Sequence, residues 1–561
     1  MKEEHPATTR FAALLSGSAI LVLLAGALFV AAAITTLFTD EIVSLAINVY
    51  SRRGAVTSIG NEMIHRVVGR ARGMFLLGGV GCFTLALLFR AAERAMRPHQ
   101  AIAANAPPWE PATEKRLLWL MAGLIALRVV VNQVHLHDSL WCDELYSWQS
   151  FARGPLAGIF GVSKTNLPNN HILNSLLMKL SLFFGLNTEA GLRLWNYLAS
   201  LLTIPAAWHL GRVFRLREGA TALLMLLVAA SPVIERYGTQ ARGYGLAILL
   251  AMLSVALHVS LFDAAGRGSR RALLVVNVLL VLANIYTVTL VLGEILHLLL
   301  EGLHPRSASR REGHPAYRHH LRSLLLSLLV SLGLNLLLIP FIILNSIVFA
   351  SKEPFSAAAF FRAMSGMLTP DGNLWMGAAV ILLLCWMGIG CRGRGADRGF
   401  WALLSVIVCG ILAGVFMHLY ELRAVAYLNG LALLMIVATL TRSLSHRAIG
   451  ASMAVLALAF SAYGVAGSLR RPPIQDYRGM IAEAERLSNG RMIWTSGFAS
   501  AGVEYYRPMA TPEQMPPGPS VYLSFFDWEV KNDPLQRAVW NACRLRQAYP
   551  SELKMAIYEC P

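Results

Sequence analysis

The feature that most restricts this chain is a series of apolar runs, each close to the length that crosses a bilayer. Leu15–Leu37, Leu117–Val134, Leu273–Leu290, Leu324–Leu344 and Ala451–Ala466 are examples. A helix needs about 20 apolar residues to traverse the hydrocarbon core. In lipid, each backbone N–H and C=O must find its partner within the protein, so such runs must be helical. Of 561 residues only 14% are charged, well below the roughly one quarter of soluble domains. The expected fold class is an all-α polytopic membrane protein. The first run is too long for a cleavable leader and reads as an anchor.

The net charge of +17 invites a nucleic-acid reading, which its distribution excludes. The basic residues form short caps between apolar runs: Arg212, Arg215 and Arg217; Arg267, Arg270 and Arg271; Arg306, Arg310, Arg311, Arg318 and Arg322; Arg392, Arg394 and Arg398; Arg442 and Arg447. Every second connection is basic, as the positive-inside rule requires. Counting from these caps gives about thirteen helices, at 15–37, 73–90, 117–134, 194–211, 219–235, 240–262, 272–285, 287–303, 323–345, 374–391, 400–417, 424–440 and 448–468. An odd number places the N-terminus in the cytoplasm and the C-terminal segment outside. The connection holding Arg52, Arg53, Arg66, Arg70 and Arg72 runs against this rule, so the first pair of helices is an exception or one of them does not cross.

Two stretches differ in character. The outer loop 135–193 contains Pro155, Pro168 and the semi-apolar run Ile172–Leu186, interrupted by Lys179. It reads as a helix lying on the membrane surface. From Arg470 onward composition shifts to an alternation of helix (Tyr477–Leu487), strand (Arg491–Thr495), helix (Ser500–Tyr506), strand (Ser520–Phe525), helix (Pro534–Gln547) and strand (Lys554–Tyr558). That pattern implies a small α/β extramembrane domain. The chain thus divides into 1–110 (extra helices), 111–469 (transmembrane catalytic domain) and 470–561. Of the seven cysteines, Cys82, Cys385, Cys391 and Cys409 lie in or beside apolar runs, and Cys543 and Cys560 are the plausible pair.

The residues that could carry chemistry gather at the outer ends of these spans. The loop after the third helix reads His137-Asp138-Ser139-Leu140-Trp141-Cys142-Asp143-Glu144-Leu145-Tyr146-Ser147-Trp148. Neighbours on a helix point about 100° apart, so Asp143 and Glu144 cannot grip one atom together. One acid should face a site while the other is tied to a packing partner. A bland alternative is an acid-rich first helical turn, favoured by the helix dipole. Asn169-Asn170-His171, Arg193, Gln240-Ala241-Arg242-Gly243-Tyr244 and His418-Leu419-Tyr420-Glu421-Leu422-Arg423 converge on the same face. Arginine's planar fork suits phosphate oxygens, though each arginine alone could be an interface anchor. Anchoring does not explain cations gathering on the outer side.

These segments resemble the GT-C class of membrane glycosyltransferases. The nearest branch in style is bacterial and includes lipid A aminoarabinose transferases, galacturonosyltransferases and relatives of protein O-mannosyltransferases. The likeness rests on Asp143-Glu144, Asn170-His171, Arg193, Gln240 to Tyr244 and Glu421-Leu422-Arg423, with Asp476-Tyr477-Arg478 opening the C-terminal domain, and spans roughly residues 117–500. This chain departs from the pattern at Gln240, where an acid is usual, and at Ile172, where proline is usual. Glu235 is a possible substitute for the missing acid.

The resemblance implies transfer of a sugar from a polyprenyl-phosphate carrier to a lipid, glycan or protein acceptor in the bacterial envelope, at the periplasmic face of the cytoplasmic membrane. Asp143 is the expected base, with Glu144 second. His171, Arg193, Arg242 and Arg423 are expected on the phosphate, supported by Asn170, Gln240, Tyr244, Tyr420 and Glu421. No cofactor is expected, and a divalent metal stays open. The rival class is a transporter or a lipid or glycan flippase, suggested by Glu294 and His297 within an apolar helix. Transporters show paired repeats with helices broken at mid-membrane, and the sequence shows neither.

Overall fold

The computed structural model describes residues 110–159, 169–263, 267–303, 357–368, 398–416, 422–443, 447–495, 505–507, 509–512, 514–524, 534–549 and 555–561, with a few isolated positions besides. The described chain is mostly helical, with one small sheet near its C-terminus. In order, the helices are α1 (Pro111–Leu136), α2 (Cys142–Ser147), α3 (Ile172–Phe183), α4 (Glu189–Val213), α5 (Glu218–Ala229), α6 (Pro232–Gly238), α7 (Tyr244–Asp263), α8 (Arg267–Ala283) and α9 (Val288–Leu303). There follow α10 (Ala357–Ser365), α11 (Arg398–Phe416), α12 (Leu422–Val425), α13 (Asn429–Ser443) and α14 (Arg447–Arg470). The expected helices at 15–37, 73–90 and 374–391, and nearly all of 323–345, lie outside the described residues.

Among the described residues, α1 and Tyr244–Leu261 are long and apolar enough to cross a bilayer, and α5 with α6 would make a third span bent by 46°. The bend has a local cause. Pro232 lacks an N–H and its ring collides with the preceding turn, so α5 ends at Ala229 and α6 starts afresh. Ser231 caps the new start, its Oγ accepting from Ile234 N at 3.3 Å. The carbonyls released by the break are met from α1. The buried Arg128 guanidinium donates to Val228 O at 2.7 Å and to Ser231 O at 3.2 Å.

Ile172–Leu186 does form a helix over Ile172–Phe183, and at 12 residues it is too short to span. Lys179 has a different role from the one its polarity suggested. Its Nζ donates to Ala152 O at 3.1 Å and Gly154 O at 2.6 Å, tying α3 to the widened turn Trp148–Ala152 that follows α2.

The C-terminal segment opens with α15 (Tyr477–Ser488), closed by the left-handed Asn489 and Gly490. Then come β1 (Met492–Thr495), β2 (Ser520–Ser524), α16 (Pro534–Ala542), β3 (Arg544–Tyr549) and β4 (Met555–Cys560). The sheet order is β1-β2-β4-β3, with β1 parallel to β2 and the other pairs antiparallel. The expected helix over 534–547 is therefore corrected. It ends at Ala542, and Arg544–Tyr549 becomes an edge strand, because ladder bonds to β4 outweigh the mild helix preference of Leu545, Arg546 and Gln547. A disulfide joins Cys543 to Cys560. Trp494, Tyr522, Val539 and Tyr558 fill the core beside it.

Candidate active site

The two acids of the outer loop separate as helical geometry requires. Glu144 has no exposed surface and faces inward from α2. Its Oε1 accepts from Arg193 Nε at 3.0 Å and from the Ala241 N–H; its Oε2 accepts from Arg193 Nη2 at 2.7 Å and from Trp141 N at 3.1 Å. The rest of the Arg193 guanidinium serves carbonyls. Nη1 donates to His135, Leu136 and Asp138, and Nη2 to Ser139. The first two of these are carbonyls in the last turn of α1, orphaned because the helix stops there. These contacts engage all three Arg193 nitrogens within the protein and give it a structural part that its expected place on a phosphate did not include. Four donors likewise occupy the two oxygens of Glu144, the second choice as base. Together the two residues lock α1, α2, α4 and the turn at Ala241.

Asp143 points the other way and keeps 30% of its side-chain surface exposed. Arg423 Nη1 lies 2.6 Å from its Oδ2, and Arg242 Nη2 lies 3.6 Å from the same oxygen. Arg242 Nη1 also donates to Ser147 Oγ at 3.1 Å and to Asp143 O at 3.3 Å. Burial alone would raise the Asp143 carboxyl. The guanidiniums of Arg242 and Arg423 outweigh it and hold the carboxyl below its usual range, so Asp143 is ionised. Burial, with Asp143 second, pushes the neighbouring Cys142 thiol well up, leaving it protonated and unreactive.

Arg242 is aimed by a chain of amides. Asn174 Nδ2 donates to Ala241 O at 2.9 Å, Asn196 Nδ2 donates to Asn174 Oδ1 at 2.5 Å, and Asn196 Oδ1 accepts from Leu246 N at 3.2 Å. Gly243 follows because the backbone there presses against Ala283 O and His171 Nδ1, where a Cβ would collide. Gln240 is buried beside this turn, and Tyr244 stacks edge-on against His171 with ring centres 4.6 Å apart.

His171 lies beside this turn with its tautomer set by the backbone. Its Nδ1 sits 2.9 Å from Ala283 O, and since a carbonyl only accepts, that nitrogen carries the hydrogen. Burial first and the Arg242 cation second push the imidazole well below its usual range, so it is neutral. A neutral ring with Nε2 as an acceptor suits a hydroxyl better than a phosphate oxygen. Asn169, given no role of its own by the sequence, sets the local turn by accepting from His171 N and Ser175 Oγ. Asn170 contributes its backbone, its carbonyl accepting from Ile285 N at 3.3 Å.

The C-terminal segment completes the loop. Cys142 N donates to Gln475 Oε1 at 2.8 Å, Leu140 N to Tyr506 Oη at 2.6 Å, and Ser139 Oγ to Asp476 Oδ1 at 3.0 Å. Asp476 also caps α15 through Gly479 N at 2.9 Å. Sequence reasoning missed Gln475 and Tyr506, and only the change in composition after Arg470 hinted at such a role. Glu235, considered as a substitute acid, is buried and paired with Arg471 at 3.1 Å. Among the described residues, no group of three or more His, Cys, Asp or Glu side chains could hold a metal ion. His418, Tyr420 and Glu421 lie outside the described residues.

Neither a family model nor a curated protein sequence matches the chain. Among solved structures, it resembles ArnT from Cupriavidus metallidurans in the apo state at 13% identity and TM-score 0.46, over 80% of this chain and 98% of that one. The same protein bound to undecaprenyl phosphate gives 10% identity and TM-score 0.33, over 79% and 98%. The Archaeoglobus fulgidus oligosaccharyltransferase complexed with zinc and sulfate gives 12% identity and TM-score 0.42, over 70% of this chain and 62% of that one. This chain thus spans under two thirds of the archaeal protein.

Proposed function

We propose that this chain is a GT-C membrane glycosyltransferase, with about thirteen spanning helices and a cytoplasmic N-terminus. It takes a sugar from a polyprenyl-phosphate donor and passes it, with inversion, to an envelope lipid, glycan or protein at the outer face. One observation carries this reading: an ionised, partly exposed Asp143 flanked by Arg423 and Arg242. The Arg242 Nε–H is also buried and has no hydrogen-bond partner among the described residues. A buried donor of this kind is costly unless a ligand completes it.

The arrangement makes the base conditional on the donor. With both guanidiniums on it Asp143 is neutralised and is a feeble base. A sugar phosphate offers them oxygens in the bidentate geometry they prefer. As they turn to it, Asp143 loses counter-charge and gains basicity. It then takes the proton from the acceptor hydroxyl as that oxygen attacks the anomeric carbon. The carbon–oxygen bond to phosphate breaks on the opposite face, its electron pair leaving with the polyprenyl phosphate. The two arginines stabilise that departing charge. Neutral His171 receives a hydrogen bond from a substrate hydroxyl.

The test is release of polyprenyl phosphate by purified protein in vesicles supplied with a panel of polyprenyl-phosphate sugars and envelope extract. Turnover of one donor is expected, falling by about 10²–10⁴ in Asp143→Asn. Movement of carrier across the bilayer without sugar loss would instead establish a flippase.

A further inference from the structure

Within the apolar helices α7, α8 and α9, Ser254, Asn277 and Glu294 meet with no exposed surface. Ser254 Oγ is 2.5 Å from Asn277 Oδ1 and 2.7 Å from Glu294 Oε1, and Asn277 Nδ2 is 3.1 Å from Glu294 Oε2. These contacts close a ring, and each edge needs one hydrogen. The hydroxyl supplies one and the amide supplies one. The third must come from the carboxyl. Exchanging the amide's O and N leaves the count unchanged: the amide then donates to Ser254, Ser254 to Oε1, and Oε2 must carry the hydrogen that reaches Asn277. An ionised Glu294 would leave two acceptors in contact with no hydrogen between them, at a depth where an unpaired charge is expensive.

Among the described residues no ion pair to Glu294 forms. By sequence α7 carries Tyr244, His258 and Asp263, α8 carries Arg267, Arg270 and Arg271, α9 carries His297 and Glu301 besides Glu294, α11 carries Arg398 and Cys409, and Tyr427 lies between α12 and α13. The two histidines contact each other, Nε2 to Nδ1 at 2.9 Å, and Tyr427 Oη meets Thr289 Oγ1 at 2.5 Å. None is a cation paired with Glu294.

We propose that Glu294 is a proton-binding site, holding one proton as a neutral carboxylic acid that latches α7, α8 and α9 together. The latch lies six residues below Ala283, roughly 9 Å along α8. Ala283 is the residue whose carbonyl fixes His171, and the adjoining Ile285 N–H donates to Asn170 O. Glu294 is thereby a positioning residue for the candidate site, acting through the tip of the α8–α9 hairpin. That last step rests on the proposed function, whereas the proton itself does not.

The test uses the full-length protein in detergent or nanodiscs. Infrared difference spectra of wild type against Glu294→Gln should show a protonated-carboxyl band lost in the variant. Gln supplies the third hydrogen from its amide, so Glu294→Gln should keep wild-type heat resistance and wild-type turnover. Glu294→Ala opens the ring and should shorten the half-life on heating by roughly tenfold to a hundredfold. As pH rises far enough to strip the proton, wild type should decline towards Glu294→Ala while Glu294→Gln holds. Absence of the band, or Glu294→Gln as fragile as Glu294→Ala at neutral pH, overturns the proton site. If the band and the stability pattern appear but no sugar transfer is ever found, the proposed function fails and the proton site stands.

Discussion

Asp143 and Glu144 are chain neighbours with opposite fates, and replacing each by its amide should separate them cleanly. In Glu144→Gln one carboxylate oxygen becomes an NH2. In one orientation it faces Arg193 Nε and the Ala241 N–H; in the other it faces Arg193 Nη2 and the Trp141 N–H. Either way two donors confront donors. Arg193, 3% exposed, also loses its counter-ion. Breaking a buried pair costs about 3–5 kcal/mol, a large share of a typical ~5–15 kcal/mol stability. Tenfold per ~1.4 kcal/mol makes that two to three decades or more in the folding equilibrium. Thermal unfolding of the purified protein should show a collapse in Tm and yield. Asp143→Asn breaks a partly exposed pair worth roughly 0–1 kcal/mol, so Tm should stay while transfer falls by about 10²–10⁴. A Glu144→Gln protein melting with wild type, or an Asp143→Asn protein that fails to fold, would refute the division between scaffold and site.

Lysine at position 242 or 423 should weaken donor binding almost as much as alanine, because a point charge cannot reproduce the fork; affinity for a polyprenyl phosphate measures it. The acidic limb of kcat/KM, which reports the free enzyme, should lie below the usual carboxylate range because the Arg242 and Arg423 cations outweigh burial at Asp143. Stability from the Asp143–Arg423 pair is present above the unfolded carboxyl's range and is lost as pH falls through the depressed value; Arg423→Gln should move the limb upward. Cys560→Ser should cost the C-terminal segment about 3 kcal/mol, from a closed loop of sequence separation 17, read as earlier proteolysis there on heating.

What was legible in the sequence followed from local rules. Among the described residues, the apolar runs form helices near their expected places, since length and hydropathy leave few alternatives. The division of labour between Asp143 and Glu144 followed from the 100° step of a helix, whereas the expected single helix over 219–235 is broken at Pro232, a stop signal the count of spans passed over. The illegible parts depended on distant partners. Arg193 reads as a phosphate ligand until its acid, 49 residues away, is seen to occupy it. His171 reads as a phosphate contact until its burial and the Arg242 cation, 71 positions along the chain, are seen to keep its ring neutral. Arg544–Gln547 reads as helix because local propensity is blind to a waiting strand. Asn169 and Gln475 are common residue types whose role lies wholly in what they hold.

The strand order of the C-terminal sheet constrains how that segment is made. β4 comes last in the chain of the four strands yet occupies an interior place, between β2 and β3. Until residues 555–560 are available, β3 has nothing to pair with and β2 keeps one flank open. That flank is Ser520–Ser524, buried along its whole length in the finished sheet and carrying Val521, Tyr522 and Leu523. An unpaired apolar strand of this kind is a template for another chain. A chain stopped before Met555 would therefore be a sticky one, prone to associate through β2. Closure of Cys543 onto Cys560 marks the moment the danger passes, because Ser520 and Cys560 are partners in the same ladder.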